Sequence, residues 1–411
     1  MQPILTPTLT SYYLSLEDAY GAHNYHPLPV VLEKGEGVFV WDVEGKRYFD
    51  FLSGYSAVNQ GHCHPRLVES LIEQAQKLTL TSRAFHNDRL GPYEEYITRL
   101  FGYDKVLPMN TGVEAVETSI KLARKWGYEV KGIPDNKAVI LVCAHNFHGR
   151  TSTVVSFSTD PESYTHFGPA MAGFRIIPYN DLHALEEALH DPCVCGFLVE
   201  PIQGEAGVVV PADGYLSGAD ALCKKANVLF IADEIQTGLG RTGKMLACDH
   251  EQVRPDILIL GKALSGGMLP VSAVLADDEV MLTIHPGQHG STYGGNPLAC
   301  AVAMTALTIL KEEKLADNAS AMGELLRRSL EELRSPYIRI IRGKGLLNAI
   351  VIEHPDKEAA WKLCLEMKEC GLLAKPTHGD KIRFAPPLVI NESEIYEAVG
   401  LIKKSLEKMQ D

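Results

Sequence analysis

At 411 residues the chain exceeds one minimal core and suits a large α/β domain with a smaller companion. Its 39 basic and 52 acidic side chains give a net charge of −13, with no basic block, which argues against nucleic acid or an anionic membrane as partner. No apolar run approaches bilayer length, and nine irregularly spaced cysteines suggest free thiols in a reducing compartment. The N-terminus has no signal or transit pattern, its first arginine being Arg47. Cytoplasmic residence is the default expectation, with the mitochondrial matrix the other possibility if a presequence has been removed.

In chain order, the first ~35 residues are aromatic and proline-rich with low helical periodicity, and read as an arm or lid. A hairpin is predicted over 38–42 and 48–51, turning at Glu44-Gly45. Helical periodicity follows over 65–77, 91–101 and 113–130. Strands at 138–143, 174–179 and 194–201 then alternate with helices at 181–190 and 214–226, which predicts a mostly parallel sheet. After Pro297 come long helices (297–312, 316–334), a β segment over 338–352, and helices from 357 and 392. We therefore divide the chain into an arm (1–45) that contributes to the smaller domain, an α/β domain (46–299) and a C-terminal α+β domain (300–411).

Two apolar runs end on reactive residues. Val228-Leu229-Phe230-Ile231-Ala232 stops at Asp233-Glu234, and Ile257-Leu258-Ile259-Leu260 stops at Gly261-Lys262. Runs without alternation read as strands buried on both faces, and open α/β sheets bind ligands beyond their carboxyl ends. Asn110-Thr111-Gly112-Val113 opens a helix after a short strand, a ready anion site or an ordinary N-cap. The loop Gly290-Ser291-Thr292-Tyr293 is a surface loop or a hydroxyl-bearing phosphate clamp.

Other motifs are weaker. Gly238-Leu239-Gly240-Arg241-Thr242-Gly243 spells GxGxxG, but Met245 stands where a phosphate loop needs a hydroxyl, and no helix and acidic strand end follow at the dinucleotide spacing. His62-Cys63-His64 and Cys193-Val194-Cys195 lack matching ligands elsewhere, so no metal is expected. An amine, a carboxylate and a phosphate cup together suit one ligand bearing an aldehyde, a basic ring nitrogen and a phosphate, namely pyridoxal 5′-phosphate. Lys262 would form the Schiff base, and Asp233 would keep the ring nitrogen protonated.

The stretches 230–238 and 256–267 resemble the signature of class III pyridoxal-phosphate aminotransferases. Residues 20–27, 55–62 and 200–207 resemble the ornithine-specific branch of that family. The glycine-rich hexad belongs to the same pattern. The resemblance implies a fold type I homodimer with active sites at the subunit interface. It assigns the cofactor phosphate to Gly112 and Val113, with Thr292 reaching it from the partner subunit, and counts Ser291 among the cofactor-binding residues. Phe147 would stack on the ring, and Gln236 would bond its phenolic oxygen. Tyr25, Tyr55 and Arg150 would hold ornithine, and Glu205 would mask Arg383 until 2-oxoglutarate arrives. His148 departs from the pattern, since many relatives carry tryptophan there. The implied reaction converts ornithine to glutamate 5-semialdehyde, which cyclises to pyrroline-5-carboxylate, and leaves pyridoxamine phosphate to aminate 2-oxoglutarate to glutamate. Within the family the alternative substrates are acetylornithine and 4-aminobutyrate; a nucleotide-binding protein and a silent scaffold are the readings outside it.

Overall fold

The computed structural model describes residues 8–410; residues 1–7 of the expected arm and Asp411 lie outside the described residues. A seven-stranded sheet forms the centre. Its spatial order is Lys105–Met109, Ser272–Ala276, Ile257–Leu260, Leu229–Asp233, Val194–Val199, Val139–Cys143 and Phe174–Ile177. Five consecutive strands, from Ile257–Leu260 to Phe174–Ile177, pair in parallel, and Ser272–Ala276 runs antiparallel to both its neighbours. Lys105–Met109 therefore points the same way as the parallel set.

Every residue of the four strands from Val194 to Ala276 is buried, which explains their unpatterned apolar sequences. Helix Gly112–Glu129 covers one face, packing Val116, Ile120 and Ala123 among Ile231, Ile257 and Ile259. Helices Leu182–Ala188 and Tyr215–Lys225 cover the other, with Leu216, Ala219 and Cys223 in one cluster with Phe197 and Phe230. Burying each such aliphatic or aromatic side chain is worth about 1.5–3 kcal/mol, so both helical layers are strongly held. The architecture is that of a doubly covered, mostly parallel α/β sheet.

Two smaller sheets flank it. Leu32–Glu36, Phe39–Asp42 and Arg47–Asp50 form an antiparallel meander, closed by Leu372–Leu373 from the far end of the chain in parallel with Arg47–Asp50. The third sheet is antiparallel, in the order Ile338–Lys344, Leu347–Ile352, Lys381–Phe384 and Lys375–Thr377, so Arg383 sits on an inner strand. Helices Pro297–Glu312, Leu315–Glu332, Ala359–Cys370 and Glu392–Glu407 occupy the expected positions after Pro297.

One expectation fails. The arm is not free of helix: Leu9–Tyr20 is helical, and its N-cap Thr8 accepts from the Ser11 N–H at 3.1 Å. The helix buries no residue, yet Leu9, Tyr12, Tyr13, Leu16 and Tyr20 recur at helical spacing and form an exposed apolar stripe, so the reading of low periodicity missed a signal that was present.

The glycine-rich hexad does structural work. Gly240 and Gly243 hold left-handed φ values of +89° and +92°, and the loop closes over the turn at Gly345. Arg241 lies fully buried beneath it, donating to the carbonyls of Leu346 at 3.0 Å and Pro386 at 2.6 Å and to Oδ1 of Asn59. Burial pushes its pKa down to about 9. The loop thus fastens the central sheet to the C-terminal segment. Arg241→Met should strand the two buried carbonyls and cost about 2–5 kcal/mol in urea denaturation, each unsatisfied group being worth about 1–3 kcal/mol. Unchanged stability would show that the loop is no latch.

Candidate active site

Four strand ends converge on one rim. Asp233 closes its strand opposite Ile259, and Lys262 follows that neighbouring strand just beyond Gly261. Cys143 leads into Phe147 and His148, and Val199 leads into Glu200 and Glu205. A cavity of about 200 Å³ gathers Gly112, Val113, Phe147, Asp233, Gln236 and Lys262. Sequence reasoning had named all six.

The anion cup is built by elimination. Thr111 and Glu114 form a capping box: the Glu114 carboxylate accepts from the Thr111 N–H at 2.7 Å, and Thr111 Oγ1 accepts from the Glu114 N–H at 3.3 Å. Among the described residues this leaves the Gly112 and Val113 N–H groups without partners, at the positive end of an 18-residue helix. Ser272 Oγ, donating to the Thr111 carbonyl at 2.7 Å, ties the cup to the antiparallel strand. Opposite the cup, Gly149 adopts φ +121°, and a Cβ there would lie 2.6 Å from that of Val113. Only glycine lets the Phe147 loop pass so close.

The carboxylate is fixed on both oxygens. Asp233 Oδ1 accepts from the Ile235 N–H at 3.1 Å, and Oδ2 lies 2.6 Å from Nδ1 of His148, whose side chain is fully buried. Burial opposes protonation of His148, but the Asp233 hydrogen bond prevails and raises its pKa. His148 therefore backs the carboxylate. Beneath the loop, Glu200 Oε1 accepts from the Phe147 N–H at 2.8 Å, and burial pushes this carboxyl up to about 7. Neither role was foreseen for His148 or Glu200, although Glu200 ends a strand as Asp233 does.

Lys262 occupies a left-handed φ of +46°, strain of the kind concentrated at functional sites. Loss of hydration lowers its pKa to about 8; Glu205 opposes this drop, and Arg383 reinforces it. An ordinary lysine amine is almost wholly protonated and unreactive near neutrality. This one presents a useful neutral fraction.

Near enough to influence the amine lies an arginine paired with a carboxylate. Arg383 Nη1 donates to Glu205 Oε1 at 2.7 Å and to Gln236 Oε1 at 3.1 Å, while Gln236 Nε2 donates to the same Glu205 oxygen at 3.0 Å. Burial alone would raise the Glu205 pKa, but Arg383 overcomes it and holds the carboxyl at about 2. The Tyr55 ring stands 4.8 Å from the Arg383 guanidinium carbon, a cation–π contact. Arg150 is exposed, its guanidinium 5.9 Å from the Phe147 ring. A larger cavity of about 810 Å³ shares Phe147, His148 and Glu205 with this site.

Six expected residues, Tyr25, Tyr55, Arg150, Ser291, Thr292 and Arg383, line neither cavity. Tyr25 is 67% exposed. Thr292 is exposed, and Ser291 Oγ accepts from Asn110 Nδ2 at 2.7 Å next to the cup. The His62-Cys63-His64 cluster is occupied in structure: His62 bonds Asp50 at 2.7 Å and His64 bonds Glu313 at 3.1 Å.

The groups brought together fit pyridoxal phosphate. The two free N–H donors suit a phosphate, Asp233 a protonated ring nitrogen, Phe147 a ring face and Lys262 an aldehyde. In the ligand-free protein, capture of this aldehyde by Lys262 should accelerate as pH rises through about 8, where the amine becomes neutral, instead of near 10.5. The rise of a near-visible absorbance band follows it; a midpoint at the ordinary lysine value would refute the tuned amine.

The family model for class-III aminotransferases matches residues 20–406. A Drosophila melanogaster protein named mitochondrial ornithine aminotransferase is 67% identical over 393 residues, covering 96% of this chain and 91% of its own. The crystal structure of the ornithine aminotransferase from Toxoplasma gondii superposes with a TM-score of 0.96 at 51% identity, covering 99% of this chain and 97% of that one. The structure of an acetylornithine aminotransferase from Elizabethkingia anophelis gives a TM-score of 0.90 at 59% identity, covering 98% of this chain and 100% of that one. Matching almost from end to end, with an amine and a carboxylate on adjacent strand ends, the chain belongs to the class III aminotransferases.

Proposed function

We propose that this chain transfers the δ-amino group of L-ornithine to 2-oxoglutarate, with pyridoxal 5′-phosphate as cofactor. The observation that carries the reading is the Glu205–Arg383 pair, close enough to Lys262 to tune its charge, in a chain 67% identical to a relative of that name. When bound, the cofactor supplies an electrophilic carbonyl and a ring that accepts electron density from the reacting carbon.

The chain's own residues supply the rest. Asp233, steadied by His148, keeps a proton on the ring nitrogen. Arg150 would take the ornithine α-carboxylate, leaving the distal amine to reach the carbonyl carbon that Lys262 would hold. No carboxylate flanks that amine, so a bare Arg383 would be a buried unpaired charge, costly in the cavity. Glu205 removes the cost. 2-Oxoglutarate brings a carboxylate beside its keto group, and that carboxylate displaces Glu205 to form charge-assisted bonds with Arg383. Lys262 Nζ, once free and neutral, takes the proton from the δ-carbon and delivers it again, as a general base within reach of the reacting atoms.

The division of labour we propose follows the chain: 46–299 binds the cofactor, 300–411 brings Arg383, and the 1–45 arm brings Tyr25. The half-buried Ser291, the exposed Thr292 and Tyr25 serve a second copy of this chain in a homodimer. All nine cysteines are free, which suits a reducing compartment, cytoplasm or mitochondrial matrix. No described helix is long and apolar enough to cross a membrane.

The test is an absorbance spectrum of the cofactor-loaded protein. Ornithine should bleach the near-visible band and 2-oxoglutarate should restore it; Lys262→Ala should abolish both changes. Glu205→Ala should shift the kcat/KM ratio of α-amino substrates to ornithine upward by on the order of tenfold, the weight of one charged hydrogen bond. An unmoved ratio would end the masking argument. Because one similar structure is named for acetylornithine, N-acetylornithine must be measured beside ornithine; equal turnover would favour that substrate class instead.

A further inference from the structure

We infer that Gln236 is a substrate-carboxylate ligand: with Arg383 it forms a two-donor cradle for the α-carboxylate of the keto acid, and the Glu205 side chain is the internal stand-in that fills it. The inference rests on the ornithine and 2-oxoglutarate reading above and adds a specificity-determining residue to it.

Glu205 Oε1 accepts from both Arg383 Nη1 at 2.7 Å and Gln236 Nε2 at 3.0 Å, so one carboxylate oxygen sits between two donors. The second oxygen reaches Arg383 Nη2 at 3.4 Å. A substrate carboxylate arriving at Arg383 meets the same pair of donors at the same place. The amide orientation is fixed by chemistry. A guanidinium only donates and a carboxylate only accepts, so Gln236 must turn Oε1 to Arg383 and its NH₂ to the carboxylate. Its backbone surroundings hold it there: Gln236 is buried, and a Cβ on Gly204 would lie 1.7 Å from its Oε1. Glycine at 204 is what admits the amide. The NH₂ group retains a second hydrogen for the cofactor's ring oxygen, so both duties are compatible. Glu205 itself is held by its backbone, its carbonyl accepting from Thr377 Oγ1 at 2.9 Å, which leaves the side chain as the part that swings.

The test uses glutarate, a five-carbon dicarboxylate without a keto group, titrated calorimetrically into cofactor-loaded protein. Glu205→Ala should bind glutarate more tightly than the unsubstituted protein, because the stand-in is gone. Adding Gln236→Met, nearly the same volume without a donor, should weaken that binding by about tenfold or more. Gln236→Glu should abolish it, by setting a negative charge in the cradle. In steady state, Gln236→Met should raise KM for 2-oxoglutarate about tenfold more than KM for ornithine. Glutarate affinity indifferent to residue 236 in the Glu205→Ala background overturns the proposal, as does a change confined to the pH midpoint of the cofactor band, which would leave Gln236 with the ring oxygen alone. Glutarate binding needs no amino-group chemistry. A protein inert to ornithine would therefore sink the functional reading while still testing the cradle.

Discussion

The parallel pairing of Leu229–Asp233 with Ile257–Leu260 is the constraint from which the chemistry follows. Adjacent parallel strands deliver their carboxyl ends to one edge, so the residues that end them share a crevice however far apart they lie in sequence. Asp233 and Lys262 are brought together this way, and the Val139–Cys143 and Val194–Val199 ends add Phe147, His148, Glu200 and Glu205 to the same rim. The antiparallel strand Ser272–Ala276 carries the pattern across to Lys105–Met109, whose end supplies the anion cup. No single loop makes the site; the sheet's polarity does.

Within that rim the charges tune one another. Lys262 loses hydration and drifts toward neutrality, while Glu205 restrains the drift. Arg383 in turn holds Glu205 at about 2 against an ordinary value of 4.5. A carboxylate with a depressed folded-state pKa contributes stability above its unfolded value, and loses it only as pH falls toward the folded one. The mask therefore stays charged throughout the neutral range, and no proton can open it there. In the proposed reaction it opens by exchange, an incoming carboxylate making the bonds that Glu205 gives up, so that it responds to ligand concentration.

Much of this was legible in the chain. The unpatterned runs 228–232 and 257–260 announced buried strands, and their reactive ends announced the crevice, because apolar burial and strand polarity are both written locally. The Leu9–Tyr20 helix was written in the chain too, with Leu9, Tyr12, Tyr13, Leu16 and Tyr20 at helical spacing, but the aromatic and proline-rich residues after it hid that pattern. Ser272–Ala276 went unremarked because Ser272-Ala273-Val274-Leu275-Ala276 is short and rich in small residues, and its antiparallel direction is a property of the assembled sheet. His148 was visible only as a departure from a pattern. Its purpose depends on Asp233 lying 2.6 Å away, 85 residues along the chain.

The histidine that resembled a metal ligand has its own place in this arrangement. Ser53, Gly54, Tyr55 and Ser56 run consecutively through left-handed φ values of 51°, 56°, 59° and 70°. For the three non-glycine residues that conformation costs roughly 1–2 kcal/mol each. Asp50 holds the run in place, its Oδ1 accepting from the Leu52 N–H at 2.9 Å and the Ser53 N–H at 2.8 Å. His62 secures the other oxygen at 2.7 Å. The strained run carries Tyr55, whose ring lies against the Arg383 guanidinium. His62 thus serves the site at two removes: it fixes a carboxylate, which fixes a strained turn, which keeps an aromatic ring against the arginine that the proposed reaction hides from one substrate and exposes to the other.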